Sequence, residues 1–482
     1  MSCTVDFHPI SHYAGLTGTT VTLADLLHPE TVARCLVDGG LSPTAVARQA
    51  EAFARVARAL RSHGVESNAF VHAFFVPGRI EVLGKHTDYA GGGSLTCAVE
   101  RGLALIIVPE AAPVLHVVDA RNGEVLRFGL QSDLAPRAGH WSNYARTVAR
   151  RVARNFPGPL RGGRVAWASD LPRAAGMSSS SALIVAVFLA LSAVNDLPRH
   201  AAYRHNMASR EALAHYLGCV ENGETFGTLA GDRGVGTFGG SEDHTAILCS
   251  APGMLRHYVY APTRFVQAAP MPQGYTFVLA TSGIRAAKTG VARVRYNRAA
   301  LLAAAAAQAW RTATGRNDPH LAAAAESPGF SAERMGDILH TAADSSFSPD
   351  DLRTRFDHFY LEHVLLLPPA VEALRTGDVA AFGNLVDRSQ RAATRLLKNQ
   401  VDETIFLARQ ARRLGAGAAS AFGAGFGGSV WALARADEAE AMKTAWKAQY
   451  AAAFPPAAWQ ALFFIDRPGP AAFELGGVSR AL

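Results

Sequence analysis

Cysteine is scarce in this chain: Cys3, Cys35, Cys97, Cys219 and Cys249 are five among 482 residues, odd in number, widely spaced and without a C-x-x-C pair. Neither a disulfide framework nor a thiolate zinc cage is indicated, and the reducing cytoplasm is the expected compartment. Long hydrophobic runs are also missing. The longest, Ala182 to Val194, is too short to span a bilayer. The start, MSCTVDFHPI, lacks a basic segment followed by an apolar one, so neither export nor a membrane span is expected. Charged residues are only 18% of the chain, and the excess of 47 Lys+Arg over 40 Asp+Glu is scattered instead of gathered in runs. Such a balance suits an anionic ligand without calling for nucleic acid.

What is present in quantity is apolar: 49% of the residues are hydrophobic, in a chain longer than a single core usually serves. Two or more domains follow. Residues 1–65 carry helical patterning, with Pro43 at a helix start before apolar residues at helical spacing. From Ala73 the texture changes to AFFVPGRIEVLG and LALIIVPE, strand-like runs around the glycines Gly91 to Gly93. A strand is expected at FVLATS and another at SVWALA. Ala-rich helix is expected near AALLAAAAAQAW, and one long helical segment from Phe359 to about Arg413.

Between Ala175 and Ala182 the chain reads Ala-Gly-Met-Ser-Ser-Ser-Ser-Ala and then runs into a helix apolar on every side. Gly176 permits close backbone approach, Ser178, Ser179, Ser180 and Ser181 supply hydroxyls, and the free N–H groups of a helix's first turn attract anions. Taken alone, the segment could equally be a serine-rich helix cap. Two other nucleotide motifs fail. Gly423-Ala424-Gly425-Phe426-Gly427-Gly428 satisfies G-x-G-x-x-G but precedes a strand pattern where a dinucleotide fold needs a helix. Gly84-Lys85-His86 lacks the Ser or Thr of a phosphate-binding P-loop, and Ala287-Lys288-Thr289 lacks the glycine before its lysine.

Three segments occur in order: Pro77-Gly78-Arg79-Ile80-Glu81-Val82-Leu83-Gly84-Lys85-His86-Thr87-Asp88-Tyr89, then Gly176 to Ala182, then Gly423 to Gly428. Together they resemble the three motifs of the GHMP kinases, and the first resembles the galactokinase signature; Trp141-Ser142-Asn143-Tyr144 adds weaker similarity. The resemblance implies an α+β, two-domain GHMP kinase fold with its active site in the interdomain cleft. The expected divisions are a helical extension over 1–65, an N-terminal domain over 66–255 and a C-terminal domain over 256–482. It further implies ATP and Mg²⁺, a sugar substrate phosphorylated on its anomeric C1 hydroxyl, a cytoplasmic protein, and no nucleic-acid or membrane partner; a monomer is expected.

Residue by residue, the resemblance makes Asp243 in Gly239-Gly240-Ser241-Glu242-Asp243-His244 the base and Arg79 its partner. Ser180 and Glu221 would hold Mg²⁺, with Glu224 the substitute for Glu221. Gly176, Ser178, Ser179, Ser180, Ser181, Gly425 and Gly427 would hold the phosphates of ATP. His86, Asp88 and Tyr296 would contact sugar. Lys85 stands where galactokinases carry Glu, and it can only donate. It either reads a carboxylate, making the substrate a uronic acid, or it points to solvent or pairs with a neighbouring acid. A sugar sensor without strong catalysis and a kinase for a non-sugar alcohol are the alternatives.

Overall fold

The computed structural model describes residues 21–285, 290–342 and 346–476; Cys3 and Lys288 therefore lie outside the described residues. Its first sheet has eight strands. The path runs β12 (Phe473–Glu474), β1 (His72–Leu83), β2 (Gly93–Glu110), β5 (Gly162–Ser169), β3 (Val114–Asp119), β4 (Glu124–Gly129), with β6 (Met254–Val259) paired to β2 and β7 (Arg264–Pro270) to β6. All pairs are antiparallel except β3 with β5.

Strand periodicity divides the buried side chains of this sheet between two cores. Phe74 and Val76 of β1, with Leu105 and Ile107 of β2, face a core shared with α4 (Ser142–Asn155) and α5 (Ser179–Val194). Phe75 of β1, with Ala104 and Ile106 of β2, faces the opposite one. That second core is closed by α1 (Leu23–Leu27), α2 (Pro29–Asp38) and α3 (Pro43–Ser62). On α3, Val46, Ala50, Phe53, Ala57 and Leu60 recur at spacings of three and four and form the buried stripe. Ser42 caps this helix by accepting the Ala45 N–H, and Pro43 follows at the first helical position, where its missing N–H costs nothing. The helical extension is thus a covering layer of the first sheet.

A second, antiparallel sheet of four strands has the order β11 (Phe463–Asp466), β8 (Tyr275–Thr281), β10 (Ser429–Arg435), β9 (Ala418–Phe422). The helices Asp402–Arg413 and Ala439–Ala453 cover it. The Ala-rich helix Gly290–Thr314 forms a separate core with Ala332–Thr341 and Pro349–Tyr360. Among the described residues, no helix is long and apolar enough to cross a membrane.

Two expectations need correction. A division at 255/256 would cut through β6, because β6 and β7 hydrogen-bond into the first sheet, with Gly93 opposite Val259; β12 also returns from the chain's far end to pair with β1. The single helix expected from Phe359 to Arg413 is broken into Pro349–Tyr360, Leu367–Arg375, Val379–Ala392 and Asp402–Arg413, with wider π turns at Leu361–Leu366 and Ala393–Leu397. Gly377 at φ 74° and Lys398 at φ 55° mark two of the interruptions.

Candidate active site

β1 carries Pro77, which has no N–H to give β2, and the pairing shifts there: Pro77 faces Gly102 but Arg79 faces Ala98. Gly78 lies in the same irregular step, and a Cβ on it would sit 2.8 Å from the Met177 carbonyl oxygen. This close approach lets β1 touch the loop before α5. Arg79, buried in the fold, donates from Nη1 to the Gly176 carbonyl at 2.5 Å and from Nε to Asp243 at 2.9 Å. Its Nη2 lies 2.7 Å from Asp243 Oδ1, and Glu242 Oε1 is 3.5 Å from the same guanidinium. These acids raise the guanidinium pKa further, against burial, which acts as the largest single influence and in the opposite sense.

The serine loop delivers its hydroxyls to two different places. Ser178 precedes α5 in the left-handed region at φ 57°, nine-tenths buried, and its hydroxyl has no hydrogen-bond partner among the described residues. A strained, buried and unanswered hydroxyl at a helix start is a fit for an anion's oxygen. Ser181 is fully buried and donates to Glu221 at 2.9 Å, with Asp243 Oδ2 at 3.2 Å. Ser180 was the serine expected beside Mg²⁺ with Glu221; the hydroxyl that meets Glu221 here is that of Ser181, one residue and about 100° further round the helix. Ser179 and Ser180 remain half-buried in the same first turn.

Asp243 reaches this point through a long loop. The helix Arg210–Asn222 ends at Gly223, and the following segment is held by Asp232, whose carboxylate lies 2.6 Å from Arg150 Nε and 3.3 Å from Arg151 Nη1. Asn222 then grips Gly239 through both its N–H and its carbonyl, and Asp88 accepts the Gly240 N–H at 3.0 Å. Replacing Asp232 by Asn keeps the shape but removes the charge facing two buried guanidinium groups. Asp232→Asn is expected to lose about 1.5–3 kcal/mol in a urea melt, and an unchanged midpoint would rule out the clamp.

Asp88 thereby sits against the loop that bears Asp243. His86, at φ 57°, places Nδ1 3.0 Å from the Tyr89 hydroxyl and Nε2 3.2 Å from the Ala424 carbonyl. Arg355 holds the His86 carbonyl from behind. Tyr296, from the helix Gly290–Thr314, sets its ring 5.2 Å from that of His86, tilted by 60°. Arg79, Glu81, His86, Asp88, Glu221, Glu242, Asp243, His244, Tyr296, Gly423 and Ala424 all border one cavity.

Lys85 does not border it. Its side chain is fully buried, with Nζ 2.6 Å from Ser389 Oγ, and Ser389 donates at 2.5 Å to Glu362, which also accepts the Gly84 N–H. The ammonium of Lys85 thus bonds a serine hydroxyl, one hydrogen bond removed from the carboxylate of Glu362, and links the turn after β1 to the helix Val379–Ala392. Gly425 and Gly427 are likewise packed inward. A Cβ on Gly425 would meet Asn399 at 2.4 Å, and one on Gly427 the Ile284 carbonyl at 2.5 Å, so these positions close the loop against its neighbours. Of this loop, Gly423 and Ala424 are the residues that reach the cavity.

Three acidic or basic groups of the cavity were not singled out as site residues from sequence. Glu81 lies two residues beyond Arg79, and Glu242 and His244 flank Asp243. His244 Nε2 lies 3.2 Å from Glu221 Oε2, the oxygen that also accepts from Ser181. Glu221, Ser181 and Asp243 are hard oxygen donors, a set that suits Mg²⁺ completed by phosphate oxygens and water. Among the described residues there is no cluster of three His, Cys, Asp or Glu that would cage a metal without such help.

Three family signatures match the chain. The galactokinase galactose-binding signature covers residues 62–109, the GHMP kinases N-terminal domain 143–227 and the GHMP kinases C-terminal domain 370–452. A galactokinase of Glaesserella parasuis serovar 5 is 26% identical over 377 residues, covering 77% of this chain and 86% of that protein. A galactokinase of Roseiflexus sp. is 28% identical over 386 residues, covering 79% and 87%. In three dimensions, the Lactococcus lactis galactokinase complexed with galactose overlays with a TM-score of 0.69 at 22% identity, over 84% of this chain and 95% of that one. The last likeness concerns fold alone.

Proposed function

The chain belongs to the GHMP kinases, in the galactokinase family, and on that footing we propose that it transfers the γ-phosphate of ATP to the anomeric C1 hydroxyl of a galactose-like sugar. The observation that carries this is the contact of Arg79 and Ser181 with the two oxygens of Asp243 at the start of α5. One carboxylate is thus fixed beside a guanidinium and an anion-attracting helix terminus. In the proposed reaction the sugar oxygen attacks the γ-phosphorus, the bond to the β-phosphate oxygen breaks, ADP leaves, and the hydroxyl proton passes to Asp243. Arg79 offsets charge on Asp243 and on the phosphoryl group. The Ser178 hydroxyl and the N–H groups of α5's first turn would receive phosphate oxygens, while His86, Asp88 and Tyr296 would hold the sugar.

Glu221 and Ser181 would hold Mg²⁺, which when bound would supply positive charge against the phosphates. The cavity's acidic lining supports a neutral or donor-rich sugar over a uronate, which would face Glu81, Asp88 and Glu242 unpaired. Release of ADP on adding galactose, in the presence of ATP and Mg²⁺, is the direct test, and silence with every sugar would overturn the proposal. Ser181→Ala is expected to raise the Mg²⁺ concentration needed for half-maximal rate by about tenfold, with Ser180→Ala shifting it less. The reverse order would return the metal to Ser180.

A further inference from the structure

The turn after β1 brings His86 and Asp88 to the cavity, and the helix Gly290–Thr314 brings Tyr296. These segments are far apart in the chain, and one side chain ties them together. Arg355, within the helix Pro349–Tyr360, is 3% exposed and does not itself border the cavity. Its Nη2 donates to the His86 carbonyl and, at 3.2 Å, to the Tyr89 hydroxyl. Its Nε donates at 3.1 Å to the Ala299 carbonyl, one turn beyond Tyr296, and its Nη1 lies 3.3 Å from Nδ1 of the fully buried His358. Carbonyl, hydroxyl and imidazole acceptors answer this charge, with no carboxylate among them. A buried guanidinium is costly to keep, and here its planar fork holds three chain segments at once.

Two features of His86 depend on that hold. Its backbone sits at φ 57°, a region that a residue with a side chain occupies only when its surroundings fix it there; the bond from Arg355 to its carbonyl is such a restraint. Its ring is fixed as well. The Ala424 carbonyl can only accept, so Nε2, 3.2 Å away, carries the proton. In the neutral ring Nδ1 then accepts from the Tyr89 hydroxyl at 3.0 Å, and the Tyr89 oxygen accepts from Arg355. Asn399 Nδ2, 3.5 Å from Nε2, lies at the limit of a hydrogen bond and leaves this order unchanged. Arg355, which can only donate, sets the direction of the chain.

We propose that Arg355 is the positioning residue of sugar recognition: it fixes the backbone and tautomer of His86 and ties the helix that bears Tyr296 to the same turn, without touching the sugar. The inference rests on the sugar-kinase reading and adds to it the residue that sets the sugar-contacting side chains.

The test is ADP release by the full chain with ATP, Mg²⁺ and galactose, or another hexose that the wild type turns over, for the wild type, Arg355→Lys and Tyr89→Phe. Lysine keeps the charge but is a single point, unable to reach His86, Tyr89 and Ala299 together. Arg355→Lys is expected to raise the KM for sugar by about tenfold or more, as for loss of hydrogen bonds to a charged group, with the KM for ATP close to that of the wild type. Tyr89→Phe keeps the ring against its apolar core and removes the hydroxyl; it should raise the sugar KM about fivefold and, in ¹⁵N NMR, release His86 from a single Nε2–H tautomer. Where Arg355→Lys does not fold, Tyr89→Phe decides by the same criterion. An unchanged sugar KM in folded Arg355→Lys, or sugar and ATP KM raised alike, overturns the inference and leaves the sugar-kinase reading standing; no turnover of any sugar by the wild type overturns both.

Discussion

Asp243→Asn is expected to lower kcat by about 10²–10⁴-fold, the range for loss of a positioned general base, while ATP binding persists. The amide keeps the size of the carboxylate, so contacts with Arg79 and Ser181 lose charge more than shape. What it cannot do is take the proton of the attacking hydroxyl. Nucleotide affinity, measured by calorimetry with a non-hydrolysable ATP analogue, is expected to stay near the wild-type value, because in the proposed reaction the phosphates are received by the Ser178 hydroxyl and the α5 terminus and not by Asp243. Substantial residual turnover with intact binding would remove Asp243 from its role as base and leave it as a structural partner of Arg79.

The second large effect is on stability. Lys85→Glu restores the residue type galactokinases carry, yet here it is expected to cost about 3–5 kcal/mol, because it leaves an uncompensated charge in a fully buried position. The new carboxylate would lie in a fully buried channel facing Ser389 and Glu362, with Glu81 near. No cation is left there to answer Glu362. Lys85→Met separates volume from charge: it fills the same channel, should cost less, and should leave the order of preference among sugars unaltered. A Lys85→Glu protein that melts like the wild type and changes its preference between galactose and galacturonate would bring Lys85 back to the sugar.

The motifs legible in the chain were those whose meaning is local. PGRIEVLG reads as strand because β-branched and apolar residues dominate it, and β1 occupies it. The serine loop reads as a helix start because small hydroxyl residues precede an all-round apolar segment, and α5 begins at Ser179. The resemblance to the GHMP kinases named Arg79, His86, Asp88, Asp243 and Tyr296, and these border one cavity. The lysine at 85 was visible as a departure, but its direction was not. Its partner Ser389 is 304 residues away, and nothing in the local sequence distinguishes a lysine turned inward from one turned to a ligand.

By itself, then, the sequence determined the family, the order of strands and helices around the motifs, and the residue types available for phosphoryl transfer, because hydrophobic period, turn chemistry and motif spacing act over a few neighbouring residues. The tertiary structure alone decided which serine meets Glu221, that Asp232 anchors the loop bearing Asp243, that Lys85 is spent on Ser389, and that Glu81 holds the Gly423 N–H of the distant glycine loop. Those outcomes depend on helix rotation, burial and pairings between segments far apart in the chain, and a polar side chain's role is set by which of its bonds the surrounding fold has already filled.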